Sequence, residues 1–402
     1  MSPLEQPGSE GGKSSAARFC LIVVGCLIVF AVLFHAPVLL REPSNADEFI
    51  YLTLASQLAR GGPYSLQGTR ILEALPASMY DHATFNHPPG FAALLLPWAS
   101  SPRGAVWVSM GAVVLAVGAV GWASWSQLLS GADSMVRRTL FVLPVLATAT
   151  DPILSFCARR VWPDAMICGL LALVLAGGVS FLNGGKPMPL WVAGLALAGA
   201  VSMKLIVGYW LLPLAILVFL RSRKMSDLVA VVVPAVLVLV AWEVFFFAKT
   251  GELWPHWLRI DADAQQSNKF MAARVAQPWT FFPLTWLILV PLSGLTMGAA
   301  FLSMKNSPVV RILLPSCLMF LLVLMILGGS GVSKEARYLA PLTPALSILL
   351  AAVFSHHADH FSMRRQTFAI ACLLTIVAGA STAGFHLTAI RMDEPVHPWM
   401  LK

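Results

Sequence analysis

The sequence predicts an all-α fold, a polytopic bundle of transmembrane helices, on three observations. Only 11% of its 402 residues are charged, against about 25% in soluble domains, so a water-facing surface of ordinary polarity cannot be built. The mean hydropathy is +0.77, and 58% of residues are hydrophobic. Apolar runs such as 19–40 and 228–247 recur along the chain, each long enough to cross a hydrocarbon core of roughly 30 Å.

Eleven spans are expected near 19–40, 103–127, 139–156, 164–182, 189–203, 205–220, 228–247, 281–303, 312–329, 337–354 and 367–388. They form one core over 19–388, between a disordered cytoplasmic tail at 1–18 and a C-terminal tail at 389–402. Lys13 and Arg18 precede the first span, which reads as a retained signal anchor because no small-residue cleavage site follows it. Alternate loops carry Arg137 and Arg138, Lys186, Arg221, Arg223 and Lys224, Lys305 and Arg311, then Arg364 and Arg365. That bias places these loops and the N-terminus in the cytoplasm. The net charge of +8 is thereby largely explained by membrane orientation, and nucleic-acid binding is excluded. Six cysteines lie in or beside apolar spans without metal-ligand spacing and read as small hydrophobes.

The opposite side holds two long segments, 41–102 and 248–280, and most of the acidic residues. It also carries basic groups, among them Arg159, Arg160, Arg274, Lys334 and Arg337. Cations there run against the orientation bias, which points to a bound phosphate. In the first segment, Asn45-Ala46-Asp47-Glu48 has the pattern of a capping box. Ile50, Leu54, Ala55 and Leu58 follow at helical spacing until Gly61-Gly62-Pro63 stops the run. This predicts an amphipathic helix on the membrane surface. Asn86-His87-Pro88-Pro89-Gly90 and an apolar stretch at 91–98, too short to span, complete the segment.

Asp47 is not needed for the cap and is free to face a cavity. Glu48 has two readings of equal weight, closing the capping box or acting in a site. His87-Pro88-Pro89, Arg160-Val161-Trp162-Pro163-Asp164, Lys204 between two short spans and Arg337-Tyr338-Leu339-Ala340-Pro341-Leu342-Thr343-Pro344-Ala345 follow in order. Together with Asp47-Glu48, this series resembles the GT-C membrane glycosyltransferases. The pattern is most like that of the protein O-mannosyltransferases and the bacterial transferases that add aminoarabinose to lipid A. It covers roughly 19–355 and departs from the family where Leu205 replaces the usual glycine after the lysine.

The resemblance implies transfer of a sugar from a polyprenyl-phosphate carrier to an acceptor hydroxyl, of a lipid, glycan or protein, on the non-cytoplasmic side of a bacterial inner membrane. It implies Asp47 as general base, with Glu48 beside it, since an acceptor hydroxyl needs a carboxylate within reach. Arg337, Lys204, Arg160 and His87 would receive the lipid phosphate, whose developing charge needs fixed cations, with Asp164 and Tyr338 in support. Arg160 and Lys204 have an alternative reading as snorkelling groups at helix ends. Asp164 either pairs with Arg160 four residues earlier or starts a helix after Pro163. His87 either donates to phosphate or binds a divalent metal, and no cofactor is otherwise indicated. Glu243 lies inside a span with no evident partner. The tryptophans of 248–280 read first as interfacial anchors. His356-His357-Ala358-Asp359-His360 sits on the cytoplasmic side as a solvated loop. A transporter or flippase is the competing function; such folds place charged groups at the bilayer midplane.

Overall fold

The computed structural model describes residues 9–35, 46–75, 77–129, 134–184, 186–267, 269–290 and 292–358. All regular structure among them is helical. Helix α1 (Ser9–His35) is followed by three helices of the first long segment, α2 (Ala46–Ala59), α3 (Ala77–Tyr80) and α4 (Gly90–Leu94), and then by α5 (Pro102–Leu128), which leaves it. Then come α6 (Met135–Ala149), α7 (Pro152–Ala158), α8 (Pro163–Gly184), α9 (Met188–Val201), α10 (Leu211–Ser222) and α11 (Met225–Thr250). The second long segment holds α12 (Trp254–Ser267) and α13 (Lys269–Val275), and the bundle closes with α14 (Phe281–Leu289), α15 (Leu292–Ser303), α16 (Pro308–Gly329) and α17 (Leu342–His357).

Among the described residues, seven helices are long and apolar enough to cross a membrane, or nine if each of two bent pairs, α6 with α7 and α14 with α15, is one span. The chain is a multi-pass membrane protein. Of the eleven expected spans, 189–203 corresponds to α9, an apolar helix below that length, and 367–388 lies outside the described residues. Helix α1 begins at Ser9, so helix reaches well into the expected 1–18 tail.

Helices α8 and α17 form the enclosed centre, whereas α11 is peripheral. Leu237, Val240, Val244 and Phe247 of α11 are exposed, a surface that water would not tolerate and lipid does. Without a hydrophobic drive between helices in lipid, close backbone approach supplies the contact. At Gly194 of α9 a side-chain carbon would fall 2.2 Å from the carbonyl oxygen of Ala230 in α11, so only glycine lets these helices meet.

Two departures from straight helices shape the site. Helix α6 bends by 45° into α7, where Pro152 removes a backbone donor and Asp151 caps α7 by accepting from Leu154 N at 2.8 Å. Helix α9 has 14 residues, a rise of only about 21 Å, shorter than the roughly 30 Å of a hydrocarbon core. The chain then turns at Ser202-Met203-Lys204 and resumes as a 3₁₀ helix, Leu205–Trp210.

Helix α2 differs from expectation. Glu48, Ile50, Tyr51, Leu52, Leu54 and Ala55 are all buried, a spread too wide for one apolar face resting on lipid. The remainder of the first segment folds over it: Tyr51 packs edge-on against Phe85 and Phe91, with ring centroids 6.1 and 5.1 Å away.

Candidate active site

Four chain turns deliver charged side chains to one end of the bundle. The first is the head of α2, where the helix dipole favours the acids Asp47 and Glu48. The second joins α7 to α8, where Pro163 starts the new helix and Ser109 Oγ donates to the Arg160 carbonyl at 2.6 Å. The third is Lys204, whose extended backbone separates α9 from the 3₁₀ helix. The fourth is a 3₁₀ turn, Ala336–Leu339, which presents Arg337 and Tyr338 just before Pro341 opens α17.

The charges meet in pairs. Arg337 is joined through Nη1 to Asp47 Oδ2. Lys204 Nζ donates to Asp164 Oδ1 at 2.7 Å. Glu48, fully buried, accepts from Val161 N at 2.8 Å, and its other oxygen lies 3.8 Å from Arg160 Nη1. Glu335 contacts both Arg337 Nε at 2.7 Å and Arg274 Nη1 at 3.3 Å. Aromatic rings back the cations. The Arg337 and Arg160 guanidinium carbons stand 4.4 and 5.7 Å from the Trp162 ring centre, and Lys204 Nζ stands 4.9 Å from that of Tyr338.

Burial alone would raise the pKa of Asp47, but the Arg337 guanidinium, helped by Lys204 and Arg274, holds its carboxyl below the usual range. It is therefore ionised at neutral pH. His87 lies near Lys204, Asp47, Arg337 and Asp164; burial, then the Lys204 charge, push its imidazole down to about 4, so it is neutral. Neutral imidazole has one N–H to give.

Every residue expected in the site is thus placed in or beside this cluster, with partners that the sequence did not assign. Asp164 does not pair with Arg160: Arg160 precedes the first turn of α8, so the two are not stacked on one helix, and Asp164 takes Lys204 instead. Glu48 reaches across to the α7–α8 turn, a role that neither a capping box nor catalysis had suggested. Lys204 is drawn inward to a carboxylate rather than snorkelling outward. Glu243 gains a partner by accepting from Trp254 N at 3.3 Å. Trp254 is more than an interfacial anchor, since its indole N–H donates to the Asn86 carbonyl at 2.9 Å and ties the two long segments together.

Sequence reasoning missed Glu335, although it stands two residues before Arg337. The pairing of Arg274 with it was equally unreadable, because Arg274 lies far back in the second long segment. At the other end of the bundle His356 meets Asn306 at 2.9 Å and His357 meets Ser303 at 3.1 Å; Asp359 and His360 lie outside the described residues. Among the described residues no group of three or more His, Cys, Asp or Glu side chains is arranged to hold a metal ion.

No protein-family model matches the sequence, and no curated protein matches it either. Solved structures do. ArnT from Cupriavidus metallidurans bound to undecaprenyl phosphate superimposes with a TM-score of 0.57 at 17% identity, covering 88% of this chain and 63% of that one. Its apo form gives 0.54 at 15%, covering 92% and 66%. The archaeal oligosaccharyltransferase AglB from Archaeoglobus fulgidus, in complex with an inhibitory peptide and a dolichol-phosphate, gives 0.50 at 11%, covering 92% and 55%. The fold is GT-C. The chain spans slightly under two thirds of the length of the ArnT chains and little more than half that of AglB. The likeness extends over 88–92% of this chain.

Proposed function

We propose that the chain transfers a sugar from a polyprenyl-phosphate-linked donor to an acceptor hydroxyl, on the periplasmic side of a bacterial inner membrane. One observation carries this reading: the head of α2 and the turn before α17 bring an ionised carboxylate, Asp47, against a buried guanidinium, Arg337. Buried ion pairs are weak contributors to stability, because desolvation offsets their attraction. Their concentration at one end of a membrane bundle therefore points to chemistry. Three buried polar atoms in or next to the cluster also have no hydrogen-bond partner among the described residues: Trp162 Nε1, Asp164 Oδ2 and Asn86 Oδ1. One is a donor suited to an anion and two are acceptors suited to hydroxyls.

In the reaction the acceptor oxygen bonds to the anomeric carbon as the bond from that carbon to the phosphate oxygen breaks. Asp47 takes the acceptor proton. The departing lipid phosphate gathers negative charge, which Arg337, Lys204 and Arg160 stabilise as cations already in place. His87 offers its single N–H to the same phosphate. Glu48 and Asp164 steady Arg160 and Lys204, and Tyr338 packs against Lys204 and Arg337. A lipid, a glycan or a protein hydroxyl would suit this geometry equally well. A transporter would carry the donor intact, and charges gathered at one end of the bundle favour interfacial transfer instead.

The test begins with mass spectrometry of lipids that copurify with the chain; a polyprenyl-phosphate sugar is expected. Release of free polyprenyl phosphate from that donor then reads the transfer. Asp47→Asn cannot take a proton and should slow release by at least ~10²-fold. Glu48→Gln can still accept from Val161 N and should retain much more activity. Normal turnover in Asp47→Asn would remove the acidic pair as the catalytic centre.

A further inference from the structure

Glu335 lies outside every motif that the sequence singles out. Its carboxylate is 11% exposed, and its two oxygens reach different arginines, Oε2 to Arg337 Nε at 2.7 Å and Oε1 to Arg274 Nη1 at 3.3 Å. The segment around it is held firmly. Ser333 N donates to Gln265 Oε1 at 2.8 Å, Lys334 Nζ donates to the Val275 carbonyl at 2.6 Å, and Ser333 Oγ donates to Glu335 Oε1 at 3.3 Å. Arg337 therefore contacts two carboxylates through different atoms, Asp47 by Nη1 and Glu335 by Nε. The Nε contact is close but bent, leaving the N–H without an aligned acceptor.

A phosphate takes arginine best through two parallel N–H groups. Asp47 already occupies Nη1, so an arriving phosphate has to compete with it. An arginine held by Asp47 alone would follow that carboxylate or come loose with the incoming anion. A second carboxylate on the Nε edge gives it a fixed pivot.

We propose that Glu335 is a positioning residue, which seats Arg337 by its Nε edge so that the donor phosphate replaces Asp47 on the terminal nitrogens. The proposal rests on the donor-phosphate reading above. No covalent bond changes in this step; one ion pair is exchanged for another. Before the exchange Arg337 suppresses the proton affinity of Asp47. Afterwards the phosphate absorbs the guanidinium charge, and Asp47 becomes a stronger base. Acceptor activation is thereby coupled to donor binding, and the base stays masked while the donor site is empty.

The experiment measures binding of undecaprenyl phosphate to the purified full-length chain in detergent. Glu335→Gln should weaken binding by at least ~10-fold, the effect expected for losing a charged partner. Glu335→Asp keeps the charge and should recover most of that loss; equal damage from both would make the role steric and overturn the proposal. On an Arg337→Lys background, whose side chain has no Nε, adding Glu335→Gln should cost less than about twofold, since residues acting as one unit are not additive. The same loss on both backgrounds would show that Glu335 does not work through Arg337. Wild-type affinity in Glu335→Gln also overturns the proposal. An absence of binding by the wild type is a different result, because it removes the donor reading itself.

Discussion

His87 illustrates how a single side chain reports its surroundings. Its imidazole titrates at about 4 because burial and the Lys204 charge oppose protonation, while Asp47 and Asp164 favour it and Arg337 opposes it again. An unfolded chain would protonate near 6.5. Between these values the unfolded state binds a proton that the folded state refuses, so stability falls as pH drops from 6.5 toward 4. Asp47 acts in a separate window. Its depressed pKa adds stability above the ordinary carboxylate value, and that contribution is lost only as pH falls below it. His87→Gln should therefore flatten the decline of thermal stability between pH 6.5 and 4.5 in detergent. An unchanged slope would mean that His87 is not held neutral. The residues expected in the site were legible because the resemblance to GT-C transferases implied cations and a carboxylate. Their pairing was not, since Asp47 meets Arg337 and Lys204 meets Asp164 only after distant parts of the chain come together.

Elements contribute mainly where they stop. Arg160, Lys204 and Arg337 all occupy turns or 3₁₀ segments between helices, so their backbones are set by breaks that hydropathy registers only as gaps. The Pro-Pro turn of the first segment is fixed by one such break. Gly90 N donates to the Ser202 carbonyl at 2.8 Å, two residues before Lys204. A side-chain carbon at Gly90 would fall 2.2 Å from Ser202 Oγ and 2.5 Å from that carbonyl oxygen. Gly90→Ala should therefore push the turn off the end of α9, lower the melting temperature by several degrees (about 1 kcal/mol suffices) and speed tryptic cleavage at exposed Arg70. Gly208→Ala is the control, because an added methyl there meets nothing closer than 3.8 Å. Similar behaviour of the two variants would dismiss the wedge. The surface helix shows the opposite kind of error. Its start and stop were readable from Asp47-Glu48 and Gly61-Gly62, yet its enclosure was not, because burial depends on what the following 40 or so residues do.

For the whole molecule, six of the expected spans lie between the two long segments, which meet at one end through Trp254 and Asn86. Cysteines at exposed Arg70 and Gln277, in a chain cleared of its native six, should both react with an impermeant reagent supplied from the non-cytoplasmic side. Reaction at only one would break this topology. The bundle itself was legible, with short α9 expected at 189–203, since spans announce themselves by length and apolarity; the bend at Asp151 was not, because it depends on neighbours that shelter it. The pairing of charges at the shared end has a consequence for how the site chooses what it holds. Arg337, Arg160, Lys204 and Arg274 face Asp47, Glu48, Asp164 and Glu335, cation matched by carboxylate. Such a pocket projects little net field into its surroundings, so it does not gather anions from the water at large. Under the proposed reaction, an anion would gain entry only by fitting a place that a carboxylate gives up, with a lipid tail, diffusing in the plane of the bilayer, delivering its phosphate there.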